Sequence, residues 1–164
     1  MQNQPRKRVI LLSVLPKFAR RILSGAKTVE LRKIRPNVTE GDYVLLYVTS
    51  PEKSLQAILR VADIKSGSPD ELWENACENT GLSYSEYKTY FNGARLGCAI
   101  HFDDMVALSQ PISLADLRII FPGFQPPQVH RYISPQELHA LMGEIGTTNE
   151  MAETSFFSLS CRDI

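Results

Sequence analysis

The stretch Gly25-Ala26-Lys27-Thr28-Val29-Glu30-Leu31-Arg32 holds the residues best suited to chemistry. A glycine turn sets Lys27 at the mouth of an alternating segment. Val29 and Leu31 share one face of it, and Thr28, Glu30 and Arg32 share the other. Such a polar row can simply face solvent. It can also line a cleft, where Glu30 and Arg32 hold each other and Lys27 offers its ammonium to a phosphate or base. Tyr47 and Lys53 add a phenol and another cation a few residues later, and Lys17 lies on a basic helix face upstream. Arg131 beside Tyr132 pairs a guanidinium with a flat ring. Cations interleaved with aromatics suit single-stranded nucleic acid, whose phosphates take charge and whose unstacked bases take flat partners.

The charge distribution points the same way. Residues 1–35 carry ten basic side chains against one acid, Glu30, a formal +9. The rest of the chain carries eight basic against seventeen acidic side chains, so the total is zero. This asymmetry predicts an anion-seeking face if folding gathers the cations, and no patch if folding disperses them. A neutral total argues against strong, indiscriminate duplex binding.

Elements must position these groups. Arg8 to Leu15 reads as a strand, and Pro16 opens a helix to Leu23 with Phe18, Ala19, Ile22 and Leu23 on its apolar side. Lys27–Lys33 is expected as strand. Tyr43–Thr49 is expected as a strand buried on both faces, and Ser54–Ile64 as one with Leu55, Ala57, Leu59 and Val61 on one face. Helices are expected from Ser68 to about Gly81, where Pro69, Asp70 and Glu71 suit a first turn, and from Ser83 through Phe91, opened by the spacing of a capping box. Then come strands Gly97–Phe102 and Met105–Leu108, broken at Asp103-Asp104. A short helix over Leu114–Ile119 and a last helix from Ser134 through Met142 follow. Ser155–Ser160 could add an edge strand. Several strands interrupted by a few helices predict α+β with a small barrel.

The 164 residues, 18.5 kDa, read as one domain over 1–164, with a core at about 8–135 and a C-terminal helix and tail over 136–164. Cys77, Cys98 and Cys161 are odd in number and far apart, which predicts reduced, mostly buried thiols rather than a disulfide framework or zinc site. No metal or cofactor motif, phosphate-binding glycine loop, nucleophile elbow, signal peptide or membrane span is found, and a cytoplasmic location is expected.

The chain resembles the ASCH family, of the PUA-like superfold. The resemblance covers about residues 8–135. It is carried by Leu11 to Ala19, Gly25 to Arg32, Gly41 to Val44, Tyr47 to Lys53, the helix starts at Ser68 and Ser83, and Pro126-Pro127-Gln128 with Arg131-Tyr132. It implies a small mixed β-barrel with flanking helices and a basic cleft for RNA or a modified nucleotide, with roles in RNA metabolism, translation or transcription. The RNA contacts would be Lys17, Lys27, Thr28, Arg32, Tyr47, Lys53, Arg131 and Tyr132. One enzymatic branch of the family is similar in cutting single-stranded RNA without a metal, with a tyrosine and lysine matching Tyr47 and Lys53; its serine has no match in Pro126–His130. Another branch removes acyl groups from N4-acylated cytidines, with Lys27 and, approximately, Glu78 matching its lysine and glutamate. That branch's threonine falls at Glu30. RNA binding is the leading expectation, hydrolysis the alternative, and a protein-interaction domain a third.

Overall fold

A computed structural model describes residues 6–148. The chain runs β1 (Val9–Val14), α1 (Pro16–Leu23), β2 (Val29–Arg32), β3 (Tyr43–Val48), β4 (Ser54–Gly67), α2 (Pro69–Ala76) and a 3-10 turn (Cys77–Asn79). It continues through α3 (Tyr84–Tyr90), β5 (Gly97–Ser113), α4 (Leu114–Ile120), β6 (Arg131–Tyr132) and α5 (Pro135–Thr148). The strands form one curled mixed sheet in the order β2-β5-β4-β3-β1-β6, with β1 and β3 parallel and every other pair antiparallel. This is the expected α+β architecture, built as a half-barrel.

β1 and β3 are buried on both faces, so their side chains feed two cores by alternation. Val9, Leu11, Tyr43, Leu45 and Tyr47 meet Leu117, Phe121, Phe124 and Leu141 beneath α4 and α5. Ile10, Leu12, Val14, Val44, Leu46 and Val48 meet Ala19 and Ile22 of α1. A third cluster joins Val29 and Leu31 to Leu72, Ala76, Tyr87 and Phe91 under α2 and α3. Ser68 and Ser83 each form the reciprocal capping box with Glu71 and Glu86.

Several expectations change. Leu55 does not share a face with Ala57, Leu59 and Val61. The register shifts between Leu55 and Ala57, and this bulge sends Leu55 to one core and the other three to the second. The strand does not break at Asp103-Asp104: β5 is continuous over 17 residues, and bulges opposite Arg60, Val61 and Asp63 absorb the irregularity. β4 runs on to Gly67 and α5 to Thr148, past Gly143, while the two-residue β6 is an addition. The Ser155–Ser160 strand and Cys161 lie outside the described residues. Cys98 is buried, and burial pushes its thiol up to about 11, while Cys77 is half-buried and also free. Among the described residues no helix is long and apolar enough to cross a membrane.

Candidate functional site

β2 is the outermost strand, and its charges sit at the open side of the curl. Glu30 pairs in register with Ile100 and Arg32 with Cys98, so both side chains share the face of the α1 core. Glu30 bridges two cations: Lys27 Nζ lies 3.3 Å from Oε2, and Arg32 Nη2 lies 3.1 Å from Oε1. Lys27 is only 2% exposed and Glu30 8%. Burial holds the Lys27 ammonium below the usual lysine range, and Glu30 partly offsets this. Lys27 Nζ also donates to the carbonyl oxygens of Val29 at 2.5 Å and Thr80 at 2.8 Å, so its three protons are matched by three acceptors. Tyr90 donates its hydroxyl to the Leu31 carbonyl at 3.0 Å, and burial lifts that phenol to about 12.

The loop over Lys27 depends on Gly81. Its φ is +65°, and a Cβ there would stand 3.0 Å from the Lys27 Cβ. Next to it, Arg21 donates to the Gly81 carbonyl. The Phe18 ring lies within 4.6–5.9 Å of three cations: Lys17, Arg21 and Lys27. Lys17 and Arg21 also converge on Glu86 of α3, at 3.1 and 3.4 Å. The Ser83 backbone N–H and the Lys17 ammonium pull the Glu86 carboxyl down to about 2. Between these groups lies a cleft of about 40 Å³ lined by Phe18, Lys27, Glu30, Leu31, Leu82 and Tyr90. Phe18, Leu82 and Tyr90 were not among the expected site residues. Basic residues one before and three after Phe18 were the available signal.

Arg32 leads from this cleft to the far edge of the sheet. Its Nη2 donates to the Ser13 carbonyl at 2.8 Å and its Nη1 to that of Val129 at 3.4 Å, while Nε is buried without a partner. Beyond Arg32, His130 meets Tyr132 edge-on at 5.2 Å. Burial and the Arg32 charge lower the His130 pKa. Lys33 lies 5.5 Å over the Tyr90 ring.

Tyr47 belongs to the other face of the sheet. It is 1% exposed, packs 6.3 Å from Phe124, and burial raises its pKa. It sits opposite Ser13 in register, and the Ser13 hydroxyl is buried without a partner. Arg131 joins this side, 5.4 Å over Phe124 and 2.5 Å from Glu137. Lys53 is exposed in the turn between β3 and β4, with a left-handed φ of 45° and, among the described residues, no ion pair. Thr28 is exposed and held by its backbone to Asn79 at 3.0 Å. Glu78, exposed in the neighbouring 3-10 turn, has no ion pair among the described residues. The structure thus gathers Lys17, Lys27, Glu30 and Arg32 into one cluster and Tyr47 with Arg131 into another. Arg32 lies at the strand edge between them. Among the described residues no group of three or more His, Cys, Asp or Glu side chains could hold a metal.

Comparison with known proteins places this geometry. The ASCH domain family model matches residues 12–105. A curated relative, the ASCH domain-containing ribonuclease of Zymomonas mobilis, is 31% identical over 142 residues, covering 87% of this chain and 95% of the relative. The crystal structure of ASCH from Zymomonas mobilis superposes with a TM-score of 0.78 at 31% identity, over 82% of this chain and 94% of that one. Crystal structures of a serine-to-alanine and a tyrosine-to-phenylalanine variant of that protein each superpose with a TM-score of 0.79. The N-terminal domain of Staphylothermus marinus McrB, 12% identical, has a TM-score of 0.56 over 85% of this chain and 95% of that one, a likeness of fold alone. With its family match and its PUA-like half-barrel, this chain belongs to the ASCH domain family.

Proposed function

We propose that this protein binds single-stranded RNA along the seam where β2 approaches β1 and β6. The observation that carries the reading is the alternation of cations and flat rings there: Lys33 over Tyr90, then Arg32, then His130 edge-on to Tyr132. Lys33 is exposed and, among the described residues, has no ion pair. Phosphates would take the charges and bases the rings. Lys27 serves this surface from below, holding Glu30 and two carbonyls in place.

Titration with a labelled single-stranded RNA at several salt concentrations tests this. Affinity should fall as salt rises, with a log–log slope of about −0.7 for each phosphate contacted. Arg32→Gln and Lys33→Gln should each weaken binding. A salt-insensitive or absent interaction rejects the proposal.

A second reading is metal-independent cleavage of the bound strand. Tyr47 faces Leu55 and Val48 faces Ser54 across the hairpin whose turn carries Lys53, so the phenol and the ammonium stand at one end of the sheet. A phenol is protonated at neutral pH, and burial moves Tyr47 further in that direction; this is the state that can donate a proton to a leaving oxygen. Lys53 can offset charge on a phosphate. The ribonuclease name of the Zymomonas relative supports this reading. Release of shorter fragments from single-stranded RNA with a chelator present is the expected result; intact RNA after long incubation rejects it. For acylcytidine hydrolysis the Lys27 cleft would have to widen, since about 40 Å³ is far below the roughly 300 Å³ at which ligand pockets begin. N4-acetylcytidine belongs in the same assay.

A further inference from the structure

We propose that Arg6, Lys7 and Arg8, with the face of Tyr132, form a second subsite that holds the flanking portion of a bound single-stranded RNA; this rests on the RNA-binding reading above. A groove of about 360 Å³ runs between the start of β1, β6 and the first turn of α5. Arg6, Lys7, Arg8 and Tyr132 line it above an apolar floor that includes Ile133 and Leu138. Unlike the Lys27 cleft, it falls within the size range that accommodates a base.

Its charges are available. Among the described residues none of the three cations is in an ion pair. Lys7 Nζ lies over Gly41, 2.5 Å from where a Cβ would stand. Arg8 Nη1 touches the Asn37 carbonyl and side-chain oxygens at 3.4 and 3.3 Å, which leaves most of its guanidinium donors unused. The acid beside them, Asp42, is turned inward and accepts the backbone N–H groups of Arg8 and Thr39, both at 2.8 Å.

The ring is held in advance of binding. Tyr132 is 47% exposed, yet its hydroxyl accepts the Asn37 N–H at 2.8 Å and its edge meets His130. A fixed, exposed ring loses little freedom when a base stacks on it. Spacing connects the groove to the seam. Tyr132 lies opposite Ile10, whereas Arg32 bonds Ser13, three residues farther along β1. At roughly 3.3 Å per residue this is about 10 Å, so one strand of a few nucleotides can reach both. Cations beside an apolar floor and a fixed ring fit an alternation of phosphate and base.

Fluorescence anisotropy with labelled oligouridylates of three and ten nucleotides tests the assignment, comparing the full chain with Arg6→Gln/Lys7→Gln and with Tyr132→Ala. For the ten-mer, each variant should lose about tenfold in affinity, and the double variant's salt slope should become shallower by about 0.7 per lost phosphate contact. The three-mer, which the seam alone can hold, should be unaffected by Arg6→Gln/Lys7→Gln, whereas Tyr132, whose ring the seam shares, should matter at both lengths. Unchanged ten-mer binding by Arg6→Gln/Lys7→Gln, or equal losses at both lengths in that variant, overturns the second subsite while leaving the seam reading intact. A wild-type protein that binds neither oligomer removes both readings. Poly-glutamate that competes as well as the ten-mer would assign the groove to an acidic protein partner and overturn the RNA assignment.

Discussion

Arg32 Nη2 lies 2.8 Å from the Ser13 carbonyl oxygen, so one side chain closes the gap between the outer edge of β2 and the part of β1 that β6 leaves open. The same guanidinium holds Glu30 and reaches Val129. A lysine has no planar fork to serve three partners at once. Arg32→Lys should therefore destabilise the fold by about 1.5–3 kcal/mol, the worth of a hydrogen bond to a charged donor. Hydrogen exchange should show faster opening at the ends of β1 and β2 than elsewhere. Uniform protection in the variant would argue against a closing role.

The Lys27–Glu30 pair is a structural unit as well as a candidate site. Removing Glu30 leaves the Lys27 ammonium buried without a counter-charge, whereas removing Lys27 leaves Glu30 with Arg32. Glu30→Gln should cost about 3–5 kcal/mol in chemical denaturation and Lys27→Ala less, and the two should be strongly coupled in a double-mutant cycle. Additive losses would show that the two side chains act separately.

Tyr47→Phe keeps the ring in its core and removes the hydroxyl. Folding should change little, while any RNA cleavage should fall by about two or more orders of magnitude, as expected for loss of a proton donor. Lys53→Ala, at an exposed turn, should do the same to cleavage without affecting the melting temperature. Full turnover in both variants would show that neither group takes part in cleavage.

His101 and His130 both have pKa values lowered from 6.5, chiefly by burial. The unfolded chain therefore binds more protons than the folded one just below that value. Stability should be complete above about pH 6.5 and decline as the pH falls through it toward the folded pKa values. Denaturation midpoints between pH 8 and 5.5 check this, and His101→Gln/His130→Gln should flatten the profile. An unaltered slope in the double variant would place the effect elsewhere.

Much of this arrangement was legible from local pattern. The helix start at Ser68, the capping box at Ser83 and the doubly apolar run Tyr43–Thr49 have short-range signatures, and all three appear in the fold. The alternation around Glu30 correctly paired it with Arg32. What the pattern could not carry was register. A single bulge at Gln56 divides Leu55 from Ala57, and no residue type announces it. β6 contains two residues, too few for any periodicity, and exists because the open edge of β1 receives it. Nor could spacing disclose that Tyr47 lies behind the sheet from Lys27, since face assignment depends on which strands become neighbours. The polar and basic character of Arg6-Lys7-Arg8 was evident, but the groove beneath it was not.

The carbonyls of Val29 and Leu31 are occupied by the Lys27 ammonium and the Tyr90 hydroxyl. A bare outer strand is a template on which another molecule can add its own strand, the first step toward sticky aggregates. Here two side chains of the same molecule take the acceptors that such an intruder would need. The residues nearest the candidate cleft thereby also keep one copy of the protein from zipping onto the next.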